Sequence, residues 1–264
     1  MGTSSTNRSA FAVTLSVWKA LFLREALSRV LEDRIAWAWL ILEPVSHVIL
    51  MIWVFTSFRR GNIAGADAAV FIVLGVLGFF LFRNVMTRSM DAIGQNETLF
   101  TYRQVKPVDT VLVRAAIEGF TECVIFLCIL TGAGMLGFPV YPADPLAAIE
   151  ALAVLWLMGL GLGLTQSVSG TLVPEIAHVT RMLINPLYFL SAVMYPAVVL
   201  PQAMQEVLLL NPLVHAIESL RLAFVPAYQI PQGINLGYPA AAAVVLVFLG
   251  LALHARFRFA LIER

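Results

Sequence analysis

The sequence predicts an all-α polytopic membrane protein: six transmembrane helices, an N-terminal amphipathic helix at the membrane interface, and a re-entrant helical hairpin before the last span. Three observations carry this. Of 264 residues, 60% are hydrophobic and only 12% are charged, with a mean hydropathy of +0.86, whereas soluble domains carry about 25% charged residues. The apolar residues fall in runs long enough to cross a hydrocarbon core of about 30 Å. The stretch Pro186–Pro226 is apolar enough for a membrane yet is broken by Pro196, Pro201 and Pro212, and a helix interior tolerates proline only at a large cost. A transmembrane helix to about Tyr195 followed by two short helices split near Pro212 satisfies that pattern. Broken backbone at membrane depth persists only where protein buries it or a polar cavity receives it.

Residues 11–33 form an amphipathic helix, with Leu23, Leu27, Val30 and Leu31 on one face and Glu25, Ser28, Arg29 and Glu32 on the other. Such a helix lies in a membrane interface or on a partner's surface. The first span, 35–58, carries Trp37, Trp39 and Trp53 together with Glu43 and His47, one helical turn apart. These two sit too deep to be interface anchors, so they form either a satisfied pair or part of a pathway. The second span covers 68–90. The connection that follows, DAIGQNETLFTYRQVKPVD, has helix-capable residues from Asn96 to Gln104 and a stop at Pro107.

The third span, 111–137, stacks Arg114, Glu118 and Glu122 at successive i,i+4 positions. The spacing suggests that Arg114 neutralises Glu118 and leaves Glu122 open. Cys123 and Cys128, in the same apolar run, read as core residues and not as a disulfide or metal site. The fourth span, 147–171, contains Gly159 and Gly163, a small-xxx-small step that permits close helix approach. The fifth span is 178–195, the re-entrant segment 196–230, and the sixth span 238–253. On the re-entrant segment His215, Glu218 and Arg221 share one helical face. They are either a functional site at membrane depth or a local ion pair that fixes the bend.

Basic residues orient the chain. Arg8, Lys19, Arg24, Arg29, Arg34, Arg83, Arg88, Arg103, Lys106, Arg114, Arg181, Arg256, Arg258 and Arg264 fall on one side; of the 17 Lys and Arg, only Arg59, Arg60 and Arg221 fall on the other. Both termini are then cytoplasmic and the re-entrant segment faces outward. The net charge of +1 gives no bulk electrostatic case for nucleic acid. A phosphate-binding loop needs a lysine followed by Ser or Thr, but Lys19 precedes Ala and Lys106 precedes Pro. If ATP drives this protein, another chain binds it.

Three stretches carry a family resemblance: RIAWAWLILEPVSHVILM (Arg34–Met51), TYRQVKPVDTVLVR (Thr101–Arg114) and NPLVHAIESLR (Asn211–Arg221). Together they resemble the permease subunits of ABC-2 type polysaccharide exporters, most closely the inner-membrane capsular polysaccharide export proteins. The resemblance implies a homodimeric permease of the bacterial inner membrane. Each copy would dock one ABC ATPase subunit, which holds ATP and Mg, with no cofactor on this chain. It further implies a periplasmic adaptor, an outer-membrane polysaccharide channel and a lipid-linked, acidic glycan as cargo. Glu97, Tyr102, Arg103 and Lys106 would form the ATPase-coupling segment, and Asn211, His215, Glu218 and Arg221 the periplasmic gate. The candidate translocation lining is Trp39, Glu43, His47, Trp53, Tyr188, Phe189 and Tyr195, whose flat aromatic faces suit sugar rings. Each of these aromatics equally suits lipid anchoring or core packing. Two alternatives stay open: a same-fold exporter of O-antigen, teichoic acid or a drug, and an integral membrane enzyme acting on lipid-linked sugars through Glu118 and Glu122.

Overall fold

The computed structural model describes residues 10–31, 34–58, 63–102 and 104–262, with side chains placed over 12–27, 42–54, 63–102 and 104–262. Among them the chain is helical, with α1 Ala10–Leu31, α2 Arg34–Phe58, α3 Ala68–Met90, α4 Pro107–Met135, α5 Pro145–Leu172, α6 Pro174–Leu190, α7 Gln202–Leu208, α8 Pro212–Phe224 and α9 Gly237–Phe257. Short 3₁₀ segments cover Gly94–Thr101 and Ala197–Val199.

The centre is α3. Its sequence is apolar on every side through its first four turns, and a helix apolar all round has to be buried. Every residue from Ala68 to Phe82 is buried, and the Asp67 carboxylate caps the start by accepting from Ala69 N–H (2.9 Å) and Val70 N–H. On α5, Gly159 and Gly163 face this helix. A Cβ added at Gly159 would lie 2.8 Å from the Phe82 carbonyl oxygen, and one at Gly163 only 2.5 Å from Ser89 Cβ. Gly161, between them, turns instead to Leu246 of α9. Helix α5 is therefore the middle slab between α3 and α9, and backbone proximity sets its spacing on both sides.

Length and apolarity alone qualify three of the described helices as membrane spans, α3, α5 and α9; α7 and α8, bent by 104°, make a fourth if counted as one broken span. Helix α2 contributes a shorter apolar stretch, Leu42–Val54, and α6 has 17 residues with Pro186 inside. It ends at Leu190, short of Tyr195, because Ala192 adopts the left-handed conformation (φ +53°) that terminates a helix. Pro107 does not close the preceding segment alone: it occupies the first turn of α4, where its missing N–H costs nothing.

Helix α1 rests on α4 through Val17 and Leu21, which pack against Val113 and Ile117. Leu23 and Leu27 of the expected apolar face are exposed, as are Leu15 and Phe22; the side chains of Val30 and Leu31 lie outside the described set. One local expectation is corrected: Cys123 and Cys128 are free and sit on the exposed side of α4, not in the core.

Candidate functional site

Asn211 opens α8. Its Oδ1 accepts from Leu213 N–H (3.0 Å), while its Nδ2 donates to the Leu190 carbonyl (3.0 Å) and to Ser191 Oγ (3.1 Å). One side chain thus caps the returning helix and ties it to the end of α6. Four residues on, His215 Nδ1 accepts from the Asn235 N–H (3.1 Å), so Nε2 carries the hydrogen and donates to Leu209 O at 2.8 Å. That bond bridges the α7–α8 bend, and Tyr238 packs edge-on against the ring at 5.1 Å.

Arg221 is 1% exposed and Glu218 is fully buried. The guanidinium donates to Glu218 Oε1 (2.9 Å), Ala192 O (2.9 Å) and Val193 O (2.7 Å), and its face stacks on Phe71 with Cζ 3.6 Å from the ring centroid. A buried charge requires such compensation. The two carbonyls belong to the left-handed turn after α6, so the arginine holds the strained turn in place. Room for it comes from α3: a Cβ at Gly75 would lie 2.3 Å from Arg221 Nη2. Arg221, which the orientation count placed among the outward basic residues, is thus an internal strut.

The pathway candidates divide into two groups. Glu43, His47 and Tyr188 meet where α2, α3 and α6 converge. His47 Nε2 and Tyr188 Oη are 2.9 Å apart, Tyr188 packs edge-on against Phe79, and Glu43 pairs with Arg83 at 2.7 Å. Arg83 lies over Phe80 at 4.0 Å. Glu43 is the open edge of this cluster, with 59% of its side chain exposed. Trp53 (66% exposed) and Phe189 (56%) lie on open faces of α2 and α6, and the Tyr195 hydroxyl donates back to Phe189 O at 2.9 Å. The Trp39 side chain lies outside the described set.

Below this cluster a polar ladder joins α3 to α4. Asn84 Nδ2 donates to Glu122, and Arg88 lies 3.9 Å from Glu118. Asn84 and Arg88 are one turn apart on α3, as Glu118 and Glu122 are on the opposed α4, so the two i,i+4 pairs interlock rung by rung. Among the described residues, Arg114 pairs with Glu25 of α1 (2.5 Å) and with Gln95. The expected Arg114–Glu118 neutralisation along α4 gives way to pairing across helices. Each carboxylate turns to its own partner, an arrangement that holds helices together. Among the described residues no group of His, Cys, Asp and Glu is placed to hold a metal ion.

The connection after α3 divides as well. Glu97 and Tyr102 are exposed on the 3₁₀ segment and its end, and Arg103 lies outside the described residues. Beside Glu97 a polar pocket of about 520 Å³ lies between this segment and the α5–α6 turn, with Arg181 paired to Asp91 at 2.5 Å. Lys106 faces elsewhere, into a pocket under the end of α9. Asp109 fixes the start of α4: its Oδ2 accepts from Lys106 N–H and its Oδ1 from Trp18 Nε1 at 2.8 Å. Sequence reasoning missed Asn84, Gln95 and Trp18. Asn84 carried a readable signal, an amide inside an otherwise apolar run. Gln95 and Trp18 had none, because their partners, Arg114 and Asp109, are remote in sequence.

An all-helical bundle with three apolar helices long enough to cross a membrane, a sharply bent helix pair before its last helix and interlocked ionisable groups has the architecture of a polytopic membrane protein. A family model described as "ABC-2 type transporter" matches residues 16–225, and the chain belongs to that family. The chain is 35% identical over 247 residues to the polysialic acid transport protein KpsM of Escherichia coli, covering 94% of this chain and 95% of that protein. It is 26% identical over 259 residues to the capsule polysaccharide export inner-membrane protein CtrC of Neisseria meningitidis serogroup A, covering 95% and 96%. It is 24% identical over 265 residues to the capsule polysaccharide export inner-membrane protein BexB of Haemophilus influenzae, covering 97% and 96%.

Proposed function

We propose that this chain is the membrane-spanning permease of an ATP-driven exporter that moves capsular polysaccharide across a bacterial inner membrane. The observation that carries the reading is likeness along nearly the whole chain to proteins named for polysialic acid transport and capsule polysaccharide export. The sequence supplies no phosphate-binding loop, so ATP and its Mg²⁺ bind a separate ATPase subunit, and the permease does no chemistry of its own. Spans α2, α3, α4, α5, α6 and α9 cross the membrane with both termini cytoplasmic, and α1 lies along the interface. The exposed Leu15, Phe22, Leu23 and Leu27 support that placement of α1.

Two copies pair, each with one ATPase. Supporting this are the open apolar faces of α2 (Ile49, Leu50, Trp53) and α6 (Met182, Leu183, Phe189), which are wide enough to meet a second copy around a conduit. A long polar chain needs a hydrated path with weak, repeated contacts, since conduction fails wherever one site holds too tightly. Glu43, His47 and Tyr188 supply polar contacts along it, and Trp53, Phe189 and Tyr195 supply flat faces. On the outer side the hairpin around Asn211–Arg221 gates exit toward an adaptor and an outer-membrane channel. ATP-driven closure of the partner subunits presses on the segment around Glu97–Tyr102, whose 3₁₀ turns lead directly into α3 and α4.

Glu97→Arg with Tyr102→Ala should weaken retention of the ATPase subunit in co-purification by about 30-fold, the scale of one interface hot spot, and reduce export. The permease should remain inserted, because both side chains are exposed. Normal ATPase retention together with normal export would remove this segment from the docking surface.

A further inference from the structure

Helix α9 ends in a hook. After Phe257 the chain turns, Leu261 is driven into the core, and Arg258 and Phe259 are left exposed. Between this hook and the start of α4 lies a pocket of about 580 Å³, lined by Lys106, Val108, Leu251, His254, Arg258 and Phe259 among others. Its chemistry is two-sided. Lys106 and Arg258 are exposed, and neither has a carboxylate partner among the described residues. The carboxylate nearest Lys106 in sequence, Asp109, already accepts from Trp18 and from the Lys106 backbone. The rest of the wall is apolar.

The pocket is continuous with an open apolar stripe on α9. Val244, Phe248 and Leu251 are exposed at 63%, 75% and 41%, and their spacing puts them on the helical face that carries Ala255 and then Arg258. An occupant could run from the spanning part of α9 into the basic pocket without crossing a polar barrier. His254, at the back of the pocket, is buried at 5% exposure and meets Ser167 of α5 at 3.0 Å. The charged groups that the pocket offers an occupant are therefore the two cations, of which Arg258 also lies over Phe259 at 4.3 Å.

We propose that this pocket binds one anionic membrane phospholipid. The phosphate sits between Lys106 and Arg258, and an acyl chain follows Leu251, Phe248 and Val244. Basic pockets at the cytoplasmic ends of spans are suited to anionic lipid headgroups. The lipid would join the start of α4 to the end of α9 beside the ATPase-coupling segment. The inference rests on the cytoplasmic placement of the α9 end proposed above, but not on the cargo.

The test is lipid retention by the purified full chain, read by native mass spectrometry after exposure to micelles containing phosphatidylglycerol or phosphatidylcholine. The wild type should retain phosphatidylglycerol in preference to phosphatidylcholine. Lys106→Gln with Arg258→Gln should weaken that retention by about 30-fold, at about fivefold per cation, whereas Lys106→Arg with Arg258→Lys should preserve it. Equal retention of the two lipids, or unchanged retention in the double Gln variant, would overturn the proposal. So would displacement of the lipid by millimolar inorganic phosphate, since the site would then hold a free anion. The readout needs no export, so loss of the export reading and loss of this one are separable.

Discussion

Replacing Arg221 with alanine should be among the most damaging single changes in this protein, lowering stability by about 3–5 kcal/mol, the scale for breaking a buried, hydrogen-bonded charge pair. The substitution leaves Glu218 fully buried without its cation and frees two turn carbonyls, those of Ala192 and Val193. The left-handed turn at Ala192 (φ +53°) then has nothing to hold it. Lysine should not rescue, because a single ammonium cannot both fork to a carboxylate and two carbonyls and stack on Phe71. Thermal unfolding of the purified variants would show this as a large fall in Tm for both. A Tm near wild type for Arg221→Ala would mean that the hairpin is held by something other than this network. Gly75→Ala should weaken the same site from the α3 side, as its Cβ would occupy the position of the guanidinium.

The second large effect is expected at Gly159. A Cβ there would lie 2.8 Å from a backbone carbonyl, that of Phe82, and 3.0 Å from Val85 Cβ. Backbone cannot rotate away as a flexible side chain can, so α3 and α5 must separate, and overpacking of this kind costs about 1–3 kcal/mol. Gly159→Val adds β-branched bulk at the same point and should lie at the upper end of that range. Gly132→Ala is the control: nothing lies within 4 Å of its Cβ, so helix propensity alone should make it neutral or slightly stabilising. If Gly159→Val unfolds at the same temperature as Gly132→Ala, the α3–α5 contact is not the close one described.

Much of this was legible in the chain because it is written in local chemistry. Pro196, Pro201 and Pro212 announce a broken segment, Asn211 before Pro212 is a helix start, and Gly159 with Gly163 marks a close approach. The spacing of His215, Glu218 and Arg221 put them on one face, and all three are buried. What they touch was not legible. Arg221 reaches carbonyls and an aromatic face on two other elements, and no periodicity encodes contacts of that kind. Arg114 illustrates the same limit: Glu118, one turn away, was the visible partner, whereas among the described residues Arg114 pairs with Glu25 on another helix and with Gln95. On helix α1 the second face, Val17 and Leu21, was not legible, because the residues it rests on, Val113 and Ile117, are remote in sequence.

The central claim is that the chain carries capsular polysaccharide outward, and the location of the polymer tests it most directly. Cells lacking the protein should accumulate polysaccharide inside and lose it from the surface, with surface polymer restored by the intact chain and not by the Arg221→Ala variant. Undiminished surface polymer with no internal accumulation would contradict the account and leave a family exporter whose cargo is something else.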